Sequence, residues 1–508
     1  MLIPAYGLNL ATMAAAVLNV SVGVVAWVLQ MKRRDRVMES DFEANDEKSS
    51  QPLYSRSQVS LVVVGIALSG AAALFYEIAW IRLLALVLGS STYSFSLMLA
   101  AFITGIALGG LAASRSWMLR ANSFRAFVAA ELAVALSIIV TLPLYERLPF
   151  YFAISASFFA RVPQSFWLYE LAQLFICFSL MLLPTFFLGM TLPLASQIAA
   201  RSFQDVGQSI GAVFSANAAG TIIGAATGGL VFLPLLGVKG IIEVGVFMQL
   251  VVATFALALG TQTTWARKAF AVALCYAVFA FHLYYFPTWD KAILASGVFR
   301  GLRVTGMSYQ EFKSAQRDKL LYYKDGANMT VTVGESKGGN RTLKVNGKPD
   351  ASTVGDLSTQ IMMAQIPLLV KSDARDVLLI GLGSGITAGS VLTHPVATLD
   401  LVEISPEVVE ASRFFSAHNY DVLKDPRLKL YIDDGKTFLR VTPRLYDLII
   451  SEPSNPWIVG VANLFSLEFY RDVRKRLRPG GVMVQWFHIY EMTNETLQLV
   501  KLKSCVNA

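Results

Sequence analysis

"VLLIGLGSGITAGSVL" (residues 377–392) runs from an apolar strand-like segment through Gly381, Gly383 and Gly385 into a helix-like one. Glycines in such a place allow a tight turn and let a ligand approach backbone N–H groups at a helix N-terminus. Taken alone, the pattern also describes an ordinary turn. Its surroundings decide the fold. Strands are expected at 376–381, 397–403, 427–432, 446–452 and 482–487, with helices at about 385–393, 406–417, 435–441 and 464–477. Regular alternation of this kind implies an α/β fold with a parallel, doubly wound sheet and helices on both faces. Ligands of such sheets bind beyond the C-terminal strand ends, where strand order reverses.

Polar residues sit at those ends. Glu403 ends the second strand, where a carboxylate can accept from both hydroxyls of a ribose. Asp433 and Asp434 end the third and suit either an adenine amino group or helix capping, since Asp is a preferred N-cap. Glu452 ends the fourth in "LIISEPSNPW" (448–457), where Pro453 and Pro456 stop the strand. Upstream, short strands and the Asn346-Gly347 turn signal occupy 318–350, followed by the helix-like "DLSTQIMMAQIPLLV".

The rest of the chain has another character. The 508 residues are 55% hydrophobic and only 15% charged, and the mean hydropathy is +0.52, too apolar for a wholly soluble protein. The excess lies between residues 1 and about 288. About eight spans are expected, at 4–29, 59–88, 91–113, 124–144, 167–190, 209–236, 240–260 and 268–287; the apolar 150–160 is too short to cross. The first reads as a retained helix, lacking a basic n-region. Four-residue spacings at Gly105/Gly109, Gly207/Gly211 and Gly220/Gly224/Gly228 suit close helix packing. Glu77, Arg82 and Glu131 fall in apolar runs and are candidates for function, with mutual neutralisation of Glu77 and Arg82 the plainer reading. Many basic residues flank the apolar runs, so the net charge of +8 points to no nucleic-acid partner. Cys177, Cys275 and Cys505 show no metal-like spacing, and no metal is read.

With these motifs in hand, "VLLIGLGSGITAGSVL", "LDLVEISPEVVEASRFF", "DPRLKLYIDDGKTFL", "YDLIISEPSNPW" and "LRPGGVMVQWF", in order over about 318–490, resemble the spermidine synthase (polyamine aminopropyltransferase) family. "SGAAALFYEIAWIRLL" and "LAAFITGIALGGLAASR" resemble the bacterial type fused to a multi-pass membrane region. The resemblance implies a transmembrane region over 1–288, then a small β-rich part with a gating helix over 289–370. A Rossmann-like sheet of the S-adenosylmethionine-dependent methyltransferase type is implied over 371–508, shortened at its C-terminus. Also implied are decarboxylated S-adenosylmethionine, or S-adenosylmethionine, as co-substrate, a small amine as acceptor, and a homodimer. Gly381, Gly383, Gly385, Glu403, Asp433 and Asp434 match positions that bind the nucleoside, Gln360 and Asn455 line the acceptor side, and Glu452 takes the place of the aspartate that accepts a proton. The chain departs from the family pattern in having Ser384, Thr359 and Asn455 where an aspartate, a tyrosine and a second acid are usual.

The leading expectation is a transferase in the plasma (inner) membrane. A different S-adenosylmethionine-dependent transferase is the alternative in the same class, and a non-catalytic polyamine- or nucleoside-binding transporter or sensor is the alternative outside it. Loop charges with eight spans put the soluble half outside the cytosol. A donor made in the cytosol argues for the cytosolic side, and that is the side expected.

Overall fold

The computed structural model describes residues 53–487, apart from 91, 117–121, 160–164, 201–205, 261–263, 301–303, 305, 316–317, 457 and 459, together with scattered positions between 13 and 28. The chain divides into Met1–Leu53 and Tyr54–Ala508. The second unit holds both sheets and the helices from Arg56 onward. The expected span 4–29 lies largely outside the described residues.

The first half is helical because long runs of Ala, Leu, Ile, Val and Phe carry no breaker strong enough to interrupt them. Its helices are α1 (Arg56–Leu88), α2 (Thr92–Arg115), α3 (Ser123–Tyr145), α4 (Leu148–Phe158), α5 (Phe166–Ala200), α6 (Val206–Thr227), α7 (Leu233–Gly260) and α8 (Trp265–Tyr285). Six helical stretches among the described residues are long and apolar enough to cross a membrane: Arg56–Leu88, Ser94–Arg115, Ser123–Tyr145, Trp167–Ala200, Val206–Leu259 and Trp265–Tyr285. The fifth holds 54 residues, which at the helical rise is about 80 Å, far beyond the ~30 Å of a hydrocarbon core. It is divided at Gly237, whose φ of 72° and ψ of 179° are not helical.

Two expectations need correction. Residues 191–200, expected in a loop, continue α5, because Leu194, Ala195, Ile198 and Ala199 are buried and their packing outweighs Pro193. Nor does Arg82 pair with Glu77. It leaves the bundle and donates to the carbonyls of Gly326 and Ala327 at 3.3 and 2.7 Å.

Glycine contacts explain how the helices approach. A Cβ on Gly109 would lie 1.8 Å from the Phe186 carbonyl oxygen of α5, and one on Gly220 1.9 Å from that of Ala67 in α1. Larger residues at either place would force the helices apart. Gly211, expected to do the same, faces open space.

The second half contains two sheets. Strands β1 (Lys319–Asp325), β2 (Thr330–Glu335), β3 (Arg341–Val345) and β4 (Lys348–Ser352) form an antiparallel sheet in sequence order. Asn346 and Gly347 both have positive φ, 49° and 78°, as the Asn-Gly turn between β3 and β4 demands. Helix α9 (Leu357–Val370) leads into β5 (Asp376–Ile380), α10 (Ile386–Leu392), β6 (Thr398–Glu403), α11 (Pro406–Ser412), β7 (Leu428–Ile432), α12 (Gly435–Val441), β8 (Tyr446–Ser451), α13 (Leu467–Arg476) and β9 (Leu477–Gln485). All pairings in this sheet are parallel and its order is β7-β6-β5-β8-β9. Strand order therefore reverses between β5 and β8. The central strands are apolar because helices cover both faces: Val377, Leu379, Leu401, Leu448 and Ile450 are buried towards one side, and Leu378, Ile380, Val402 and Ile449 towards the other.

Two of the three hairpin turns of the antiparallel sheet, β1–β2 and β3–β4, rest on the helical bundle. Arg82 holds the β1–β2 turn, Asn346 Nδ2 donates to Ser90 Oγ at 2.9 Å, and Val238 N donates to Asp325 Oδ2 at 3.3 Å. Replacing Arg82 with Met is therefore expected to raise amide exchange at 326–329 by at least about tenfold, since the lost charge-assisted bonds are each worth roughly 1.5–3 kcal/mol. Unchanged exchange there would show that the turn is held by something else.

Candidate functional site

The site grows from the gap between β5 and β8. Gly381, Gly383 and Gly385 all have positive φ, at 98°, 53° and 81°. At Gly381 there is also no room: a Cβ would stand 2.6 Å from the Glu452 carbonyl oxygen, and Glu452 N donates to Ile380 O at 2.9 Å. The glycine loop and the end of β8 are thus in direct contact. Gly381→Ala is expected to destabilise the domain by about 2–4 kcal/mol, from strain in φ plus the clash. A denaturation midpoint equal to that of wild type would contradict this packing.

Asn419 and Thr387 fix the loop's far side. Asn419 Nδ2 donates to Ser384 O at 2.8 Å and to Ser412 O at 2.9 Å, while Thr387 Oγ1 donates to Gln360 O at 3.0 Å. Sequence reasoning does not single out either, because an Asn at the end of a helix reads as a cap. Ser384 Oγ donates to Gln360 Oε1 at 2.5 Å, and Gln360 Nε2 donates to Ser352 O at 3.0 Å. Gln360 therefore ties α9, the glycine loop and β4 into one wall.

Glu403 is buried at the end of β6. Leu382 N donates to its Oε2 and Ser405 N to its Oε1, each at 2.9 Å. Burial pushes its carboxyl up from the usual range, while the backbone N–H groups hold it back. A carboxylate so clamped is held in a fixed orientation beside the glycine loop. Asp434 caps α12, accepting from Thr437 N at 2.8 Å and Thr437 Oγ1 at 2.9 Å, and Asp433 accepts from Asp434 N at 2.8 Å. The capping reading of Asp434 holds, and its carboxylate remains at the strand-end rim.

Glu452 follows β8 and is partly buried. Withdrawal from water pushes its carboxyl up to about 7, Thr387 pulls it back, and the negative charge of Asp356 adds to the rise. Asn455, in the same loop, is buried. Two acids outside the sequence motifs join the site. Asp356, just before α9, acts on Glu452, and Asp350 of β4 acts on Glu403. Asp350 accepts from Ser454 Oγ at 2.8 Å and pairs with Lys348, so the antiparallel sheet grips the loop that carries Glu452.

The charges at the opposite end of the sheet serve structure. Arg444 donates to both carboxylate oxygens of buried Asp400 at 2.7 Å, and Arg478 bridges Asp376 and Asp447 at the starts of β5 and β8. They sit at the end where ligands of this architecture do not bind.

Residues 357–505 match the model of the spermine/spermidine synthase domain. The polyamine aminopropyltransferase of Escherichia fergusonii is 33% identical over 169 residues, which cover 33% of this chain and 58% of the relative. That of Klebsiella pneumoniae is 31% identical over 169 residues, covering 33% of this chain and 59% of the relative. A spermidine synthase solved in complex with the transition-state analogue AdoDATO matches with a TM-score of 0.32 at 24% identity, over 33% of this chain and 57% of that one. Spermidine synthase from Thermotoga maritima matches with a TM-score of 0.31 at 25% identity, over 33% and 56%. The chain spans less than two thirds of the length of these relatives. The match lies in the C-terminal part of the chain.

Proposed function

We propose that this protein is a membrane-bound transferase that moves an aminopropyl group from decarboxylated S-adenosylmethionine to a polyamine or another small amine. The observation that carries the proposal is the meeting, at one strand reversal, of a positive-φ glycine loop, a clamped acid at the second strand end and an acid beside the loop whose carboxyl is raised to about 7. In this reading Gly381, Gly383 and Gly385 give the nucleoside room, Glu403 accepts from its ribose hydroxyls, and Asp433 and Asp434 lie on the adenine side. Gln360, Asn455 and Asp356 border the acceptor.

The chemistry is a displacement. A neutral amine nitrogen attacks the donor's propyl carbon next to the sulfonium, a C–N bond forms, the C–S bond breaks with its pair going to sulfur, and methylthioadenosine leaves. Glu452 takes the proton that the nitrogen sheds. Holding the two reactants in line supplies much of the acceleration, and a proton acceptor whose pKa lies near the working pH supplies more.

Membrane attachment is supported by the outward faces of the bundle. Ile103, Val140, Phe175, Ile222 and Phe270 are large, apolar and exposed, as residues facing lipid would be. We place the catalytic half on the cytosolic side, where a nucleoside donor is made. Ser384 supports a second reading. It gives its hydroxyl to Gln360 and supplies no carboxylate for the donor's amino group, so a different S-adenosylmethionine-dependent transfer also fits this loop. Calorimetry on the full-length protein tests the ligand. Binding of methylthioadenosine supports the proposal, and absence of binding for both methylthioadenosine and S-adenosylhomocysteine ends the nucleoside reading.

A further inference from the structure

The clamp on Glu403 reaches beyond the parallel sheet. Ser405, whose N–H holds Glu403 Oε1 at 2.9 Å, donates its hydroxyl to Glu407 Oε2 at 2.7 Å. Ser405 is wholly buried, and Glu407, in the first turn of α11, is 7% exposed. On its other side Glu407 packs on Gly326 of the β1–β2 turn, so closely that a Cβ there would stand 2.4 Å from the carboxyl carbon. Gly326 supplies one of the two carbonyls that Arg82 of α1 holds, and the charges of Arg82 and Glu407 act on one another. Arg82, Gly326, Glu407, Ser405 and Glu403 thus form a continuous series of contacts from a bundle helix to the proposed ribose acid.

An acid in the first turn of a helix also suits the helix dipole. That role asks for neither burial nor contact with Gly326. The next acid on the same face gives the contrast. Glu410 pairs with Lys324 and accepts from the Tyr322 hydroxyl at 2.8 Å, so it too fastens α11 to the β1–β2 hairpin. Its side chain is 43% exposed, and its hydrogen bonds among the described residues run to β1. Glu407 fastens the hairpin at a buried point that also orients Ser405.

We infer that Glu407 is a positioning residue: it acts through Ser405 on Glu403, and it makes nucleoside affinity depend on how α1 holds the β1–β2 turn. Packed and hydrogen-bonded series of this kind carry energetic coupling between distant groups. A side chain at Gly326 would push the Glu407 carboxylate away from Ser405, which gives that glycine its place. The inference rests on the reading of Glu403 as the acid that receives the ribose.

Methylthioadenosine affinity, measured by calorimetry on the full-length protein in detergent micelles, tests it. Glu407→Ala and Gly326→Ala are each expected to weaken binding by about tenfold, the share of one charge-assisted hydrogen bond. In turnover, Glu407→Ala should raise KM for the donor by a similar factor and leave kcat nearly unchanged, the pattern of a lost binding contact. Glu407→Gln still offers Ser405 an acceptor and should recover most of the affinity, while Glu410→Gln should match wild type. Arg82→Met is expected to weaken binding by about threefold alone and to add nothing beside Glu407→Ala, as residues acting through one path do. Wild-type affinity in Glu407→Ala, or an Arg82→Met effect of equal size with and without Glu407, overturns the inference. Should Glu407→Ala fail to fold, Gly326→Ala, which removes no charge, decides, and wild-type affinity there overturns it. Those results require a wild type that binds. A wild type that binds neither methylthioadenosine nor S-adenosylhomocysteine ends the nucleoside reading itself, and this inference with it.

Discussion

Glu452→Gln is expected to lower turnover by two to four orders of magnitude, the contribution of a positioned general base, while leaving nucleoside affinity nearly unchanged. In the wild-type enzyme the rate should rise with pH through about 7, because Glu452 accepts a proton only once it is ionised. Stability should move the other way. Burial raises this carboxyl from 4.5 to about 7, so the fold favours the neutral form. The stabilisation tied to that form is complete below about 4.5 and is lost as pH climbs to about 7. The gap corresponds to an upper bound of roughly 3 kcal/mol, smaller in practice because the side chain is only partly shielded from water. Glu452→Gln, always neutral, should therefore unfold at higher denaturant than wild type above neutral pH and at similar denaturant in acid. A variant that loses activity and stability together at all pH values would instead mark Glu452 as a packing residue.

Glu403→Ala carries the second large effect. Its carboxylate receives the N–H groups of Leu382 and Ser405 as well as the proposed ribose contacts. Leaving two buried donors unpaired costs about 1–3 kcal/mol each, so the domain should lose about 2–5 kcal/mol of stability. Methylthioadenosine affinity should fall by about 100-fold or more. Glu403→Gln restores one acceptor and should recover much of the stability but little of the affinity. If affinity returns with stability, the residue orders the loop and does not touch the ligand.

Much of the parallel sheet is legible in the sequence because its strands are near-continuous apolar runs punctuated by glycine, proline and acids, and such runs form strands wherever helices cover both faces. The start of β9 is less so. "LRPGG" reads as a loop, yet it is paired from Leu477 through an irregularity between Tyr446 and Leu448 that absorbs the extra residues. The proposed nucleoside-side positions stand out for a local reason, since Gly381, Glu403 and Asp434 each lie at or just past a strand end. Asp350, Asp356 and Asn419 are different. Their roles come from contacts with residues far along the chain, and nothing in the local pattern of charge distinguishes them from surface residues. Arg82 misleads for the same cause: only the folded β1–β2 turn shows that its partners are the carbonyls of Gly326 and Ala327.

The departures at Ser384 and Asn455 gain a physical meaning from the same geometry. Ser384 is part of the wall built around Gln360, and on the proposed acceptor side the acids would be Asp356, which acts on Glu452, and Glu452 itself. In the proposed reading a cationic acceptor would still meet negative charge, though fewer carboxylates stand in the motifs themselves. An acceptor with one amine would need less than a long polyamine.

Aminopropyl transfer dependent on Glu452 is tested most directly by mass spectrometry of the products formed when the full-length protein is incubated with decarboxylated S-adenosylmethionine and putrescine, beside Glu452→Gln. Methylthioadenosine and an amine heavier by one aminopropyl group are expected from wild type, with both strongly reduced in the variant. Equal product from the two proteins, or a methylated amine formed from S-adenosylmethionine in place of aminopropyl transfer, would contradict that mechanism.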